Sequence, residues 1–269
     1  MPPLRPEEEW ARSIIGRTIG VPVEQHDDGT EPSMYDLRIR YVDRRPAAVE
    51  VTAAADRESI ELWRLMNSKD ERWMAEGLVG GWSVHVLPTA RAKRLRSDVP
   101  DLLSRLEEAG RRELRADLRS SGADLLRQVA LELGVAHAFQ SGTNFPGSIY
   151  LNLELPPEQT GGWVADTGDA LAVWLGDFLN EPSQKDVRHK LARSGAEERH
   201  AFVITPGFTT AAFSVIDLLM REGAPHPTID PLLPPEITNV WAVSSWSSGV
   251  GFRWSRESGW LTFDKAALP

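Results

Sequence analysis

Apolar positions recur at helical spacing from Glu7 to Gly20, where Trp10, Ile14, Ile15 and Ile19 fall on one face. Pro6 suits the first turn of that predicted helix, Glu7, Glu8 and Glu9 suit its positive end, and Gly20 is its stop. The pattern then changes. A short strand is predicted over residues 21–26, followed by the turn-rich residues 27–32. Residues 34–41 alternate and are rich in β-branched and aromatic side chains, residues 42–46 read as a polar turn, and residues 47–52 form an apolar run broken only by Glu50 and Thr52. A helix is predicted from Asp56 to about Ala75, with Ile60, Trp63, Leu65, Met66, Trp73 and Met74 as its stripe, and then a strand over 82–87.

The middle of the chain reads as helical, over 98–118 and 121–133, with Gly134 as a C-cap. A strand at 148–155 follows, then helices at 166–179 and 184–194. A buried-type strand comes at 200–205 and a helix at 211–220. Proline-dense residues 225–235 read as an ordered extended segment. From Thr238 the runs 239–245, 251–254 and 259–263 look like a meander in which Trp241, Trp254 and Trp260 alternate with polar residues. No internal repeat or low-complexity tract interrupts this order, and no linker forces a boundary.

Composition narrows the class only modestly. A chain of 269 residues, 41% hydrophobic and 26% charged, can bury a full core in one large domain or two smaller ones. With no cysteine there are no disulfides and no thiolate sites. The apolar runs are too short for a membrane span and the first residues do not resemble a signal peptide, so a cytoplasmic protein is the expectation. A net charge of −9 opposes a broad nucleic-acid surface. The basic residues between Arg91 and Arg119 are interleaved with acids and read as a solvated helix. The ten tryptophans read mainly as core. The phosphate-binding loops GxxxxGK[ST] and GxGxxG, the zinc motif HExxH and the GxSxG elbow are all absent.

The chemistry concentrates in the 34–52 hairpin. Side chains alternate along a strand, so Glu50 and Thr52 share a face, and a hairpin brings Asp36 near Glu50. Two adjacent carboxylates repel unless a cation, a proton or basic neighbours compensate. Such an oxygen pair suits Mg²⁺.

Asp36 followed by Glu50-Val51-Thr52 resembles the core of the PD-(D/E)XK phosphodiesterases, the restriction-endonuclease-like superfamily. In that family an Asp on one strand is followed by Glu-x-Lys on the next, within a helix, three strands, a helix and a strand. The likeness covers residues 6 to about 88. It implies an α/β fold with a central mixed sheet and an αβββαβ core, extended here by C-terminal helices and the meander. It also implies a metal-dependent nuclease acting on DNA or RNA, with Asp36 and Glu50 holding Mg²⁺ or Mn²⁺. Many members add an acid near the first helix, for which Glu24 is chosen here, with Glu8 and Glu9 as alternatives. Thr52 stands where the family has its lysine, and a hydroxyl cannot supply that charge.

Replacement cations are Arg38, Arg57 and Arg64, with Arg57 taken as the catalytic one beside Asp36, Glu50 and Thr52. Arg188, His189 and Lys190 cluster on the helix at 184–194 and are assigned to substrate phosphates, with His200 facing the same cleft. A division at residues 1–145 and 146–269 is expected, if the chain is not continuous. The second functional reading is an inactive nuclease fold that binds or senses. Partners on these readings are nucleic acid, another protein or a second copy of the chain.

Overall fold

The computed structural model describes residues 3–67 (backbone only for 65–67), 73–116, 124–155, 159, 161, 164–165, 167–246 and 249–265. The fold is α/β with mixed sheets, in two compact units. One unit comprises Met1–Ala55 and Pro157–Pro269, and the other is Asp56–Pro156, inserted between its halves. The division therefore falls at residues 55/56 and 156/157 instead of near 145. Its physical basis is that residues 73–153 pair their strands with one another.

The discontinuous unit begins with α1 (Pro6–Ile19), whose Trp10, Ala11, Ile14 and Ile15 are buried and which ends at Gly20 in the left-handed region (φ 69°). Strands β1 (Val23–Gln25), β2 (Leu37–Ile39) and β3 (Ala47–Ala53) follow as an antiparallel meander. After the insertion come α5 (Asp169–Asn180), a short 3-10 turn (Pro182–Gln184), α6 (Lys185–Arg193), β9 (Arg199–Thr205) and α7 (Phe213–Met220). The closing strands are β10 (Asn239–Ser244), β11 (Gly251–Ser255) and β12 (Gly259–Phe263). The seven strands run β1-β2-β3-β9-β10-β11-β12, with β3, β9 and β10 parallel and the flanking pairs antiparallel.

Alternation along β3, β9 and β10 assigns the two faces of this sheet. Ala48, Ala201, Val203, Val240 and Ala242 pack beneath α5, α6 and α7. Val49, Val51, Phe202, Ile204, Trp241 and Val243 pack beneath α1. Central strands covered on both faces read as continuous apolar runs, which is why residues 200–205 carry a buried-strand signal. The proline-dense segment is tied down as expected. The indole N–H groups of Trp254 and Trp260 donate to Asp230 Oδ1 and the Ile229 carbonyl, each at 2.8 Å.

The inserted unit holds α2 (Arg57–Asn67), α3 (Ala92–Glu108) and α4 (Leu125–Leu133), the last ended by Gly134 in the left-handed region (φ 78°). Its five-stranded sheet has the order β4-β8-β5-β7-β6. These strands are β4 (Trp73–Met74), β5 (Gly81–Val86), β6 (Glu113–Arg115), β7 (Val135–Gly142) and β8 (Ser148–Leu153). All three helices pack on the face bearing Trp82, Val84, Val86 and Ala138.

Several sequence expectations change here. The helix expected to reach Ala75 becomes α2, and Trp73 and Met74 pair as a strand with β8 instead. The helix expected over 98–118 starts earlier and gives way to β6, while residues 117–123 lie outside the described residues. Strand β7 has no clear signal in the sequence, because it is apolar on one face only in part. The strand at 82–87, expected as the last element of the core that carries Asp36 and Glu50, belongs to this other sheet; the parallel neighbour of β3 is β9.

A chain truncated after Thr238 loses β10, β11 and β12, and with them the buried Val240, Trp241, Val243 and Phe252. It is expected to lose its near-ultraviolet circular dichroism and its cooperative melt. A truncation that stays soluble and melts sharply would show the meander to be an appendage.

Candidate functional site

Strands β2 and β3 stop pairing at Leu37 opposite Val49, so the next rung would set Asp36 against Glu50. Side chains take over that rung. The Val51 N–H donates to Asp36 Oδ2 at 2.8 Å, and the Asp36 N–H donates to Glu50 Oε2 at 3.2 Å. Both carboxylates are nearly inaccessible, Asp36 at 2% and Glu50 at 3% exposure. Glu50 shares its face with Ala48 and Thr52, the face that α6 covers.

The cation beside Glu50 comes from α6. Lys190 Nζ lies 2.7 Å from Glu50 Oε1. Thr52 instead donates its hydroxyl to Gln184 Oε1 at 3.0 Å, fixing the residue that leads into α6. Val187 and Leu191 are buried in the core beneath the same helix, which seats Lys190 between packed neighbours.

The N-terminus of α1 supplies a third acid. Glu8 is buried, accepts the Arg5 backbone N–H at 2.8 Å and pairs with the Arg5 guanidinium. Arg5 Nη2 also stands 3.6 Å from Asp36 Oδ1. When the three buried acids (Glu8, Asp36, Glu50) are all ionised they face two cations (Arg5, Lys190), one positive charge too few, and the exposed Asp186 adds a further acid 3.7 Å from Lys190. Burial, with the backbone bonds and Lys190 only partly opposing it, pushes Asp36 up to about 6. Burial and then repulsion from Asp36 push Glu50 up to about 8. Burial alone would lower Lys190, but the hydrogen bond and charge of Glu50 more than offset it, so the ammonium is held charged.

The remaining sequence candidates fall elsewhere. Glu24 pairs with Arg40 at 2.8 Å on the partly exposed side of β1, and Glu8 is the acid whose charge acts on Asp36. Arg38 is engaged with His26 Nδ1 at 2.7 Å and the Tyr35 hydroxyl at 3.2 Å. Arg57 opens α2 in the inserted unit and is exposed, as is Arg64 on the same helix. Of the trio on α6, only Lys190 reaches the carboxylates. Arg188 donates to the Leu179 carbonyl and, at 2.9 Å, to the Glu181 carbonyl, and His189 is exposed. Successive helical residues point about 100° apart, so three in a row cannot share one target.

His200 lies on the α1 face, opposite Glu50, where the Trp241 indole donates to its Nδ1 at 3.1 Å. It lines a cavity of about 820 Å³ with Tyr41, Glu198, Trp241 and Arg253. There the charge of Glu198 is met by Arg44 and by the Tyr41 hydroxyl.

Comparison with protein-family models, with curated proteins and with solved structures gives no significant match. Among the described residues no group of three or more His, Cys, Asp or Glu side chains stands ready to hold a metal ion. What the carboxylate site offers is two buried oxygen donors, a nearby third acid and a deficit of positive charge. That donor set fits a hard divalent cation, which is commonly held through one or two carboxylates and retains several waters.

Both carboxyls hold protons in the folded state over a range where the unfolded chain has released them. Stability should therefore be full below about pH 4 as far as these groups are concerned, and fall as pH rises through 6 and 8. The slope is at most about 1.4 kcal/mol per pH unit for each carboxyl. Urea melts of the metal-free protein between pH 5 and 8 should show it, and Asp36→Asn or Glu50→Gln should flatten it. Lys190→Ala leaves Glu50 Oε1 without its donor and should cost about 1–3 kcal/mol at pH 8, and less at pH 5, where Glu50 is protonated. An unchanged slope in Glu50→Gln would refute this account of the charge balance.

Proposed function

We propose that this chain is a divergent metal-dependent nuclease of the PD-(D/E)XK type, in which the motif lysine is supplied from a helix. The carrying observation is Lys190 Nζ at 2.7 Å from Glu50, on the face where the residue two positions after the motif Glu would point. With the inserted unit set aside the order is α1, β1, β2, β3, α5, α6, β9, which is helix, three strands, helix, strand with α5 as an additional helix before α6. This replaces the assignment of the last two elements to residues 56–88.

On this reading Asp36 and Glu50 would hold Mg²⁺ or Mn²⁺, which when bound supplies an activated water and neutralises phosphate charge. The chain's own residues do the rest. Lys190 presents a fixed ammonium with three donors, enough to hold Glu50, orient a water and meet the negative charge that develops on the phosphorus oxygens. Thr52 and Gln184 keep α6 in register with β3, so the ammonium is placed before substrate arrives. Arg5 restrains Glu8 beside Asp36, raising the local demand for a cation. The non-catalytic reading draws on the same ion pair, since Lys190 already compensates Glu50 without a metal.

The test is cleavage of single- and double-stranded DNA and RNA with Mg²⁺ or Mn²⁺. Activity should vanish in Asp36→Asn and Glu50→Gln. It should fall about 10²–10³-fold in Lys190→Met, the usual cost of one transition-state donor. Thr52→Lys added to Lys190→Met should recover part of it by returning the cation to the strand. A wild-type protein stabilised by Mn²⁺ that cuts none of the four substrates would favour the binding-only reading. One that neither cuts nor gains stability would refute the nuclease reading and favour the non-catalytic one.

A further inference from the structure

The inserted unit carries a second constellation that the nuclease reading does not use. Its helices cover one face of the five-stranded sheet. On the other face His85 of β5 stands directly across from His137 of β7. Both rings remain partly open to solvent, at 29% and 22% side-chain exposure. The arrangement is one of imidazoles backed by carboxylates. His85 Nδ1 lies 3.0 Å from Glu154 Oε2, and His137 Nε2 lies 3.0 Å from Glu113 Oε1.

A carboxylate beside one ring nitrogen of a neutral histidine fixes the proton there and leaves the lone pair on the other. Here that leaves His85 Nε2 and His137 Nδ1 as the donor atoms. Metal–nitrogen bonds of about 2.0–2.1 Å place two ligating imidazole centres roughly 5–6 Å apart. The two ring centroids are 5.7 Å apart with a 41° tilt. Phe139, 5.2 Å from the His137 ring and 5.9 Å from that of His85, limits how far either can turn. The acids Glu113 and Glu154, against Arg115 opposite His137, favour a cation over an anion at this spot.

We propose that His85 and His137 form a binding site for an imidazole-preferring divalent ion of the Zn²⁺ class, with Glu154 and Glu113 as the outer groups that orient the two rings. The site has two direct protein donors, and water completes the coordination. It differs in chemistry from the Asp36/Glu50 site, where oxygen donors select hard ions.

Titrating the full chain with Zn²⁺ by calorimetry tests this, in an Asp36→Asn background so that the carboxylate site cannot account for the signal. One Zn²⁺ per chain is expected to bind. Binding should be lost in His85→Gln and in His137→Gln, and weakened about 10–100-fold in Glu154→Gln, the usual effect of removing an outer-shell partner. Cu²⁺ in place of Zn²⁺ should give an electron paramagnetic resonance spectrum with coupling to two nitrogens. Circular dichroism melts would show whether each variant is folded, and His85→Asn and His137→Asn replace any that is not. No Zn²⁺ binding, or binding unchanged in folded His85 and His137 variants, would overturn the proposal. Neither result bears on cleavage by the Asp36/Glu50 site.

Discussion

Where β2 leaves β3, two carboxylates replace the hydrogen bonds of a strand ladder, and the discontinuous unit is arranged around that substitution. Val51 needs an acceptor and Asp36 N–H needs another, because buried backbone groups left unpaired are costly. Asp36 and Glu50 satisfy them, and so two acids are fixed side by side out of water. Like charges in that position demand compensation. Arg5 at the start of α1 and Lys190 on α6 provide it, from helices that pack on opposite faces of the sheet. The parallel pairing of β3 with β9 is what makes the second cation available. A parallel neighbour requires a long crossover, and the crossover lays α6 over Glu50.

The hairpin is legible because its signals are local. Period-two alternation and a polar turn set Asp36 and Glu50, 14 residues apart, on adjoining strands. Lys190 lies 140 residues from Glu50, and no spacing rule reaches so far. The sequence does bear one hint. Val187 and Leu191 mark the buried stripe of α6, and Lys190 sits beside it, whereas His189 does not; treating the three basic residues as one cluster ignores helical periodicity. Strand adjacency favours Glu24 over Glu8 as the third acid, yet strand adjacency also offers Glu24 its partner Arg40.

The inserted unit escapes the sequence for a different physical reason. A helix followed by a strand directly after β3 has the order of the resembled core, and local pattern cannot reveal with which sheet a strand will pair. Trp82, Val84 and Val86 look like any central strand. Their partners are β7 and β8, and this sheet packs against α2, α3 and α4 as a compact unit. Periodicity specifies which face of a strand is buried, not which neighbour buries it.

Thr52 ties these points together. In the resembled family this position carries the charge; here it holds Gln184, and Gln184 leads directly into the helix that carries the charge. The two roles exclude one another at a single side chain, since a lysine at 52 would give up the hydroxyl that seats α6. It would also add a second cation beside Glu50. Residues 52 and 190 must therefore act as a coupled pair, and the effects of changing them cannot add. A lysine on a helix packed by Val187 and Leu191 is also positioned by tertiary contacts instead of strand geometry. Its precision thus depends on the core beneath α5 and α6 as much as on the motif strand itself.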